Sequence, residues 1–185
     1  EQKNMNWKYL GILFLLGVGL LSVTASFQNS PGYMDAEYYA AIARRIYEGK
    51  GFTEPFVWNY LGGYKLIPQP AFQYWKPLPS LVAVLSMSIL QSRSFQAARV
   101  LFIVTASMAP LITALFSYQL TRDQKKAFLS GLFACFPAFY LPFLTTTDSF
   151  PIYLLGGGLL FFLLNQKHSR IKILLIGFIC GLMGL

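Results

Sequence analysis

The chain has 185 residues, a formal net charge of +8 and only seven acidic side chains; 55% of its residues are hydrophobic and 12% charged. A soluble domain could not cover that much apolar surface, so composition excludes one and points to a polytopic membrane protein. The basic excess does not indicate a nucleic-acid partner: no basic stripe with interleaved aromatics is present, and the cations gather beside apolar segments, where they set orientation.

Taken in chain order, residues 9–27 carry no charge and suffice to cross a hydrocarbon core of about 30 Å. Lys3 and Lys8 could flank a signal peptide, but the apolar core exceeds the roughly 7–15 residues of a cleaved signal and no A-x-A site follows. It reads as a first span with a cytoplasmic N-terminus. Pro31-Gly32 makes a turn, and DAEYYAAIARRIYE over 35–48 has helical periodicity. Tyr39, Ile42, Ala43 and Ile46 line its apolar face, with Glu37, Arg44, Arg45 and Glu48 on a solvated one, as in an interfacial helix. Residues 52–76 read as a loop whose Trp58, Trp75 and tyrosines suit lipid head groups.

Residues 77–91 decide the topology. Were they to cross, Arg122, Lys125, Lys126, Lys167, Arg170 and Lys172 would face outward, against the rule that short cytoplasmic loops carry the basic residues. The segment opens with Pro77 and Pro79 and is short for a span, so it reads as a second interfacial helix. The expected fold is an all-α polytopic membrane helix bundle. Its spans fall at about 9–27, 97–120, 127–143, 150–166 and 171–185, with an outer loop over 28–96 containing amphipathic juxtamembrane helices at 35–48 and 77–91. The chain starts at Glu1 and stops within an apolar run at Leu185, and reads as the N-terminal transmembrane module of a longer protein.

This topology puts Asp35 and Asp148 on one outer face, an unusual use of scarce carboxylates. Each has a structural alternative as a helix N-cap, Asp35 before 35–48 and Asp148 with Ser149 and Pro151 at a helix start. Lys76 is either a snorkelling cation or a partner for a phosphate head group. Arg99 reads as snorkelling, and His168, in NQKHSRIK, lies on the cytoplasmic side. Cys135 and Cys180 lack metal-ligand spacing and read as small buried hydrophobes. Gly177 and Gly181, four apart, suggest a helix-packing face.

The order of these motifs is a span, then D-x-x-Y-Y at the head of an outer helix, then W-K-P-L, a basic turn TRDQKK, and T-D-S-F-P opening a later span. It resembles the N-terminal membrane module of GT-C-type glycosyltransferases, the group holding the protein O-mannosyltransferases and the aminoarabinose transferase of lipid A. The resemblance implies transfer of a sugar from a polyprenyl-phosphate donor to a lipid, glycan or protein acceptor outside the cytoplasm, at the plasma membrane. It also implies Asp35 as catalytic base, Asp148 as the second acidic position, and Lys76, Glu37 and Tyr39 as substrate-binding residues. No metal ligand set is identified; a divalent cation held through Asp148 is an option, since metal use varies in the group. Where many relatives carry a glutamate beside the first aspartate this chain has Ala36, with Glu37 one later, and Trp75 replaces a glutamate before the lysine. These departures argue against the aminoarabinose branch. A non-catalytic transporter or assembly protein is the alternative, although transporters place ionisable groups near mid-bilayer and often carry internal repeats.

Overall fold

The computed structural model describes residues 5–57, 67–167 and 169–185. About 70% of the structure is helical, consistent with the all-α expectation. Trp58 and His168 lie outside the described residues.

The first helix, α1 (Trp7–Ser26), starts where the Asn6 side chain accepts from Lys8 N–H. Its 20 residues, of which Lys8 in the first turn carries the one charge, rise about 30 Å, the thickness of a hydrocarbon core. Three consecutive pieces, α4 (Phe95–Ala98), α5 (Val100–Ser107) and α6 (Ala109–Thr121), join into one 27-residue rod. By length and composition α1 and this rod can cross a membrane, which is the physical basis for assigning the chain to one.

The rod ends at Arg122, whose left-handed backbone (φ 55) reverses the chain. Asp123 then caps α7 (Gln124–Ala134) by accepting from Lys125 and Lys126 N–H, so α6 and α7 form a tight antiparallel hairpin. The segment expected as one span over 127–143 is broken. Helix α7 stops at Cys135, and a 3₁₀ segment (Ala138–Thr145) departs at 68° from it. Pro137 and Pro142 explain the break, since each lacks the N–H that would continue the α-helical ladder. The pair counts as a third crossing only if its two pieces are taken together.

Helices α8 (Phe150–Leu164) and α9 (Arg170–Gly184) pack against each other, α8 also against α5 and α6. Each has 15 residues and rises only about 22 Å. No residue of α9 is buried, and Gly177 and Gly181 have open space where a Cβ would stand, so the expected small-residue face packs on nothing among the described residues. Cys180 is likewise exposed rather than buried, whereas Cys135 is buried as expected.

The helices of the segment expected as the outer loop pack inward. Helix α2 (Met34–Tyr47) and α3 (Leu78–Ile89) lie against one another, and Ser80 Oγ donates to Tyr39 O at 3.2 Å between them. The apolar face of α2, expected at a lipid interface, is covered: Tyr38, Tyr39 and Ile42 cluster with Phe56, Phe72 and Trp75. Ala43, Ala83, Met87, Ala98 and Phe102 join α2 and α3 to the head of the rod. Arg45, expected on a solvated face, donates through Nε and Nη2 to Thr53 Oγ1 and pins a two-strand ladder of β1 (Thr53–Glu54) and β2 (Gln69–Pro70). Helix α3, of 12 residues, rises about 18 Å, well below a membrane thickness.

The hairpins bring the basic turns to one end. Met5 and Tyr9 pack near Phe128 of α7, at the same end as the 122–126 turn and the 165–172 connection. Asp35, Asp148 and Lys76 lie at the opposite end.

Gly131 is where α7 approaches α1 and α6 most closely. An added Cβ would stand 2.5 Å from Leu13 Cδ1, 2.9 Å from Pro110 O and 3.0 Å from Ala114 Cβ. Gly131→Ala should therefore destabilise the fold by about 1–3 kcal/mol through overpacking, despite its better helix propensity. Thermal unfolding in detergent checks this, with Gly11→Ala, which meets nothing within 4 Å, as the neutral comparison.

Candidate functional site

A polar strap builds the site. The run Thr145-Thr146-Thr147-Asp148 follows the 3₁₀ segment, and its three threonines are fully buried. A buried hydroxyl without a partner is costly, so each must find an acceptor. Thr145 donates to Gln28 Oε1 at 2.6 Å, Thr146 to Pro31 O at 3.1 Å and Thr147 to Ala36 O at 2.8 Å. Gln28 answers by donating to Pro142 O, and Arg99 donates to Gln28 O at 3.0 Å. The strap thus lies along the chain between α1 and the first turn of α2, more than a hundred residues away in sequence.

Arg99, expected to snorkel, is only 7% exposed and stacks on the Phe95 ring at 4.8 Å while holding Gln28. It fixes the far side of the strap rather than reaching for water. Gln28, Tyr33 and the threonines escaped the reading of the sequence. A polar TTT run inside an apolar stretch was the available signal, since hydroxyls there must be satisfied within the protein.

Asp148, at 3% exposure, accepts from the Tyr33 hydroxyl and from Ser149 N–H and Oγ. It does not cap α8, whose N-cap is Ser149 and which receives no side-chain cap bond. Burial and the adjacent Asp148 push the Tyr33 hydroxyl far above its ordinary range, keeping it a donor.

Asp35 differs in every respect. It sits in the first turn of α2, one residue inside the helix, and the N-cap position belongs to Tyr33. It is half-buried, and no hydrogen-bond donor reaches it among the described residues. Its carboxyl is raised above the usual carboxylate range, first by burial and then by the charge of Asp148. The positive end of the helix dipole offsets part of that cost.

Tyr39, one turn on from Asp35, is buried and feels both carboxylates; burial chiefly, then their charges, hold its hydroxyl protonated. Its ring meets Trp75 edge-on at 6.3 Å. A cavity of about 230 Å³ opens beside it, lined by Tyr39, Lys76, Ser149 and Tyr153 with apolar walls from Trp75 and Ile152. Lys76 is exposed at the rim and makes no ion pair among the described residues. Neither aspartate lines this cavity itself; Asp148 adjoins it through Ser149, and Asp35 through the shared face with Tyr39. Glu37 is exposed and, two residues from Asp35, points about 200° away around the helix. It therefore stands apart from Asp35, Asp148, Lys76 and Tyr39.

Ala36 is fully buried, with its carbonyl bonded to Thr147. A glutamate there would be forced into the strap, which accounts physically for the small residue. The donor set does not suit a resident metal: Asp148 is enclosed by its own donors, and no group of three His, Cys, Asp or Glu could hold an ion among the described residues.

Comparison of the chain with family models, curated proteins and solved structures gave no significant match.

The electrostatics predict a pH-dependent trade. Because the folded state raises the pKa of Asp35, its ionised form opposes folding once the pH exceeds that raised value, and the penalty vanishes below the unfolded value of about 3.9. Asp35→Asn should thus raise the unfolding temperature at pH 8, with the gain shrinking as the pH falls toward 4. Asp148→Asn should lower the Asp35 midpoint only partway, because burial remains the larger cause. Thermal scans across pH check the first, and infrared titration of the carboxyl stretch the second.

Proposed function

We propose that the chain is the N-terminal part of a multi-pass, plasma-membrane glycosyltransferase of the GT-C type, moving a sugar from a polyprenyl-phosphate donor to an acceptor hydroxyl on the extracytoplasmic face. One observation carries the reading. Three of the four short stretches on which the resemblance rests, D-x-x-Y-Y, W-K-P-L and T-D-S-F-P, converge on one cavity, although they are scattered over more than a hundred residues, while the basic turn TRDQKK lies at the other end. Chance similarity gives no reason for such convergence. The gathering of basic turns at the other end supports a cytoplasmic position for that end.

The chemistry follows from the unequal carboxylates. Ionised Asp35 takes the proton of the acceptor hydroxyl as its oxygen bonds to the anomeric carbon; its raised pKa makes it a stronger base than an ordinary carboxylate. The bond from that carbon to the lipid phosphate breaks, and the phosphate leaves with the electron pair. Lys76, at the cavity rim, stabilises the charge that develops there. Tyr39 offers a hydroxyl donor within the cavity, and the apolar walls of Trp75 and Ile152 suit the first isoprene units. Asp148 acts at one remove, holding Tyr33 and Ser149 and keeping the proton affinity of Asp35 high. Glu37, exposed on another face, contacts substrate only if a long acceptor extends around α2.

Asp35→Asn should lower sugar transfer by roughly 10²- to 10⁴-fold, the range for loss of a general base, in a protein that folds at least as well as the parent. Transfer at the parental rate would remove Asp35 from the mechanism. Lys76→Gln should lower kcat more than Lys76→Arg does, as a charge requirement predicts.

The orientation has its own check. Cysteine placed at exposed Glu37 should react with an impermeant maleimide on intact cells, and cysteine at exposed Lys125 only after permeabilisation. The reverse pattern would overturn the topology.

A further inference from the structure

A polar cavity lies at the end away from both aspartates. It measures about 540 Å³ and is lined by Gln119 at the end of α6, Arg122 in the left-handed turn, Asn165, Gln166 and Lys167 after α8, and Lys172 in the first turn of α9. Three cations and three amides converge there without a lining carboxylate. Asp123, the nearest acid in sequence, is already occupied as the α7 cap, accepting from Lys125 N–H at 2.8 Å and Lys126 N–H at 3.2 Å.

Two internal contacts keep the cavity in shape. Asn165 Nδ2 donates to Gln119 Oε1 at 3.3 Å, joining the ends of α8 and α6. Lys172 Nζ donates to Lys167 O at 3.0 Å, holding the first turn of α9 to the segment that follows α8. The C-termini of α6 and α8 aim partial charges of about −0.5 each toward this region, and the N-terminus of α9 about +0.5. Three full positive charges outweigh them, leaving a net cationic pocket with amide N–H donors.

Its position narrows the occupant. Every lining residue sits at the end of an apolar helix, so in a membrane the pocket stands at head-group depth. The adjoining exposed side chains of Leu164, Ile171 and Leu174 are apolar, as an acyl chain requires. We propose that this cavity binds the phosphate head group of an anionic phospholipid, a site separate from the sugar-transfer cavity; basic pockets between membrane helices on the cytoplasmic side suit this ligand. The proposal rests on the membrane reading but not on the transferase reading.

The test uses protein extracted in neutral detergent and its unfolding temperature, with dioleoylphosphatidylglycerol titrated into dioleoylphosphatidylcholine at constant total lipid. The parent's midpoint should climb with the anionic lipid. The variant Arg122→Asn/Lys167→Gln/Lys172→Gln should match the parent in phosphatidylcholine alone but need at least about tenfold more phosphatidylglycerol for the same climb. Asparagine is chosen at 122 because it tolerates the left-handed backbone. Should the triple variant not fold, Lys167→Gln and Lys172→Gln singly should each give part of the loss, and no loss in either would overturn the site. An equal climb in the triple variant overturns it too, as does an equal loss in Arg44→Gln/Arg93→Gln at the other end. Inorganic phosphate that reproduces the climb alone would overturn the lipid assignment in favour of a free anion. Alkaline carbonate washing separates the premises: release of the chain from membranes sinks the membrane reading and this proposal together. A carbonate-resistant chain without lipid response sinks the site only.

Discussion

Buried threonine hydroxyls hold the working end of this protein together. Thr145, Thr146 and Thr147 have no access to water, and each finds an acceptor on the segment from Gln28 to Ala36, Thr145 also having Pro142 O within reach at 3.0 Å. Each bond contributes only about 1 kcal/mol net, but leaving one unmade costs more, so the set fixes register as well as proximity. Slip the strap by one residue and three hydroxyls lose their partners at once. The position of Asp148 against Tyr33, the closure of the cavity at Ser149, and the meeting of α2 with α8 all depend on that register.

The strap also explains why the 3₁₀ segment is bent. A straight continuation of α7 past Cys135 would carry residues 138–145 away from α1. The break at Pro137 turns them across it, and Leu144 joins Leu21, Ala25, Ile103 and Ala106 in a buried cluster. What looks like a spoiled membrane span is the approach that lets the threonines reach the segment from Gln28 to Ala36. Only the C-terminal end of the 3₁₀ segment, Leu144 and Thr145, is buried, while Phe139 and Tyr140 stay exposed, so the bend seats the end that leads into the strap.

Helix positions were legible because apolar periodicity and charge-free length are strong signals: α1, α2 and α3 fall within a few residues of their expected ranges. The basic turns at Arg122–Lys126 and Lys167–Lys172 announced which helix ends belong together, and from them the shared end of Asp35 and Asp148 followed. The covered face of α2 was not legible, since a Tyr- and Ile-lined stripe suits lipid and protein equally. Nor was the break at Pro137, because proline within an apolar run marks a kink without giving its angle. Gly177 and Gly181 misled for a related reason. Small residues permit close packing but do not supply a neighbour, and α9 has none on that face among the described residues.

The two aspartates, equivalent on paper, are driven apart by their surroundings. Asp148 has donors on both oxygens, from Tyr33 and from Ser149. A carboxylate so satisfied has little lone-pair capacity for a reacting proton. Asp35 has lost part of its water without gaining a donor among the described residues, and the fixed negative charge of Asp148 raises its proton affinity further. A half-open carboxylate whose proton affinity is raised by burial and by a neighbouring charge is the better base of the two, and the helix dipole offsets only part of that rise. In the proposed reaction Asp148 is the charge that strengthens it, which ties the strap's register to chemistry as well as to stability.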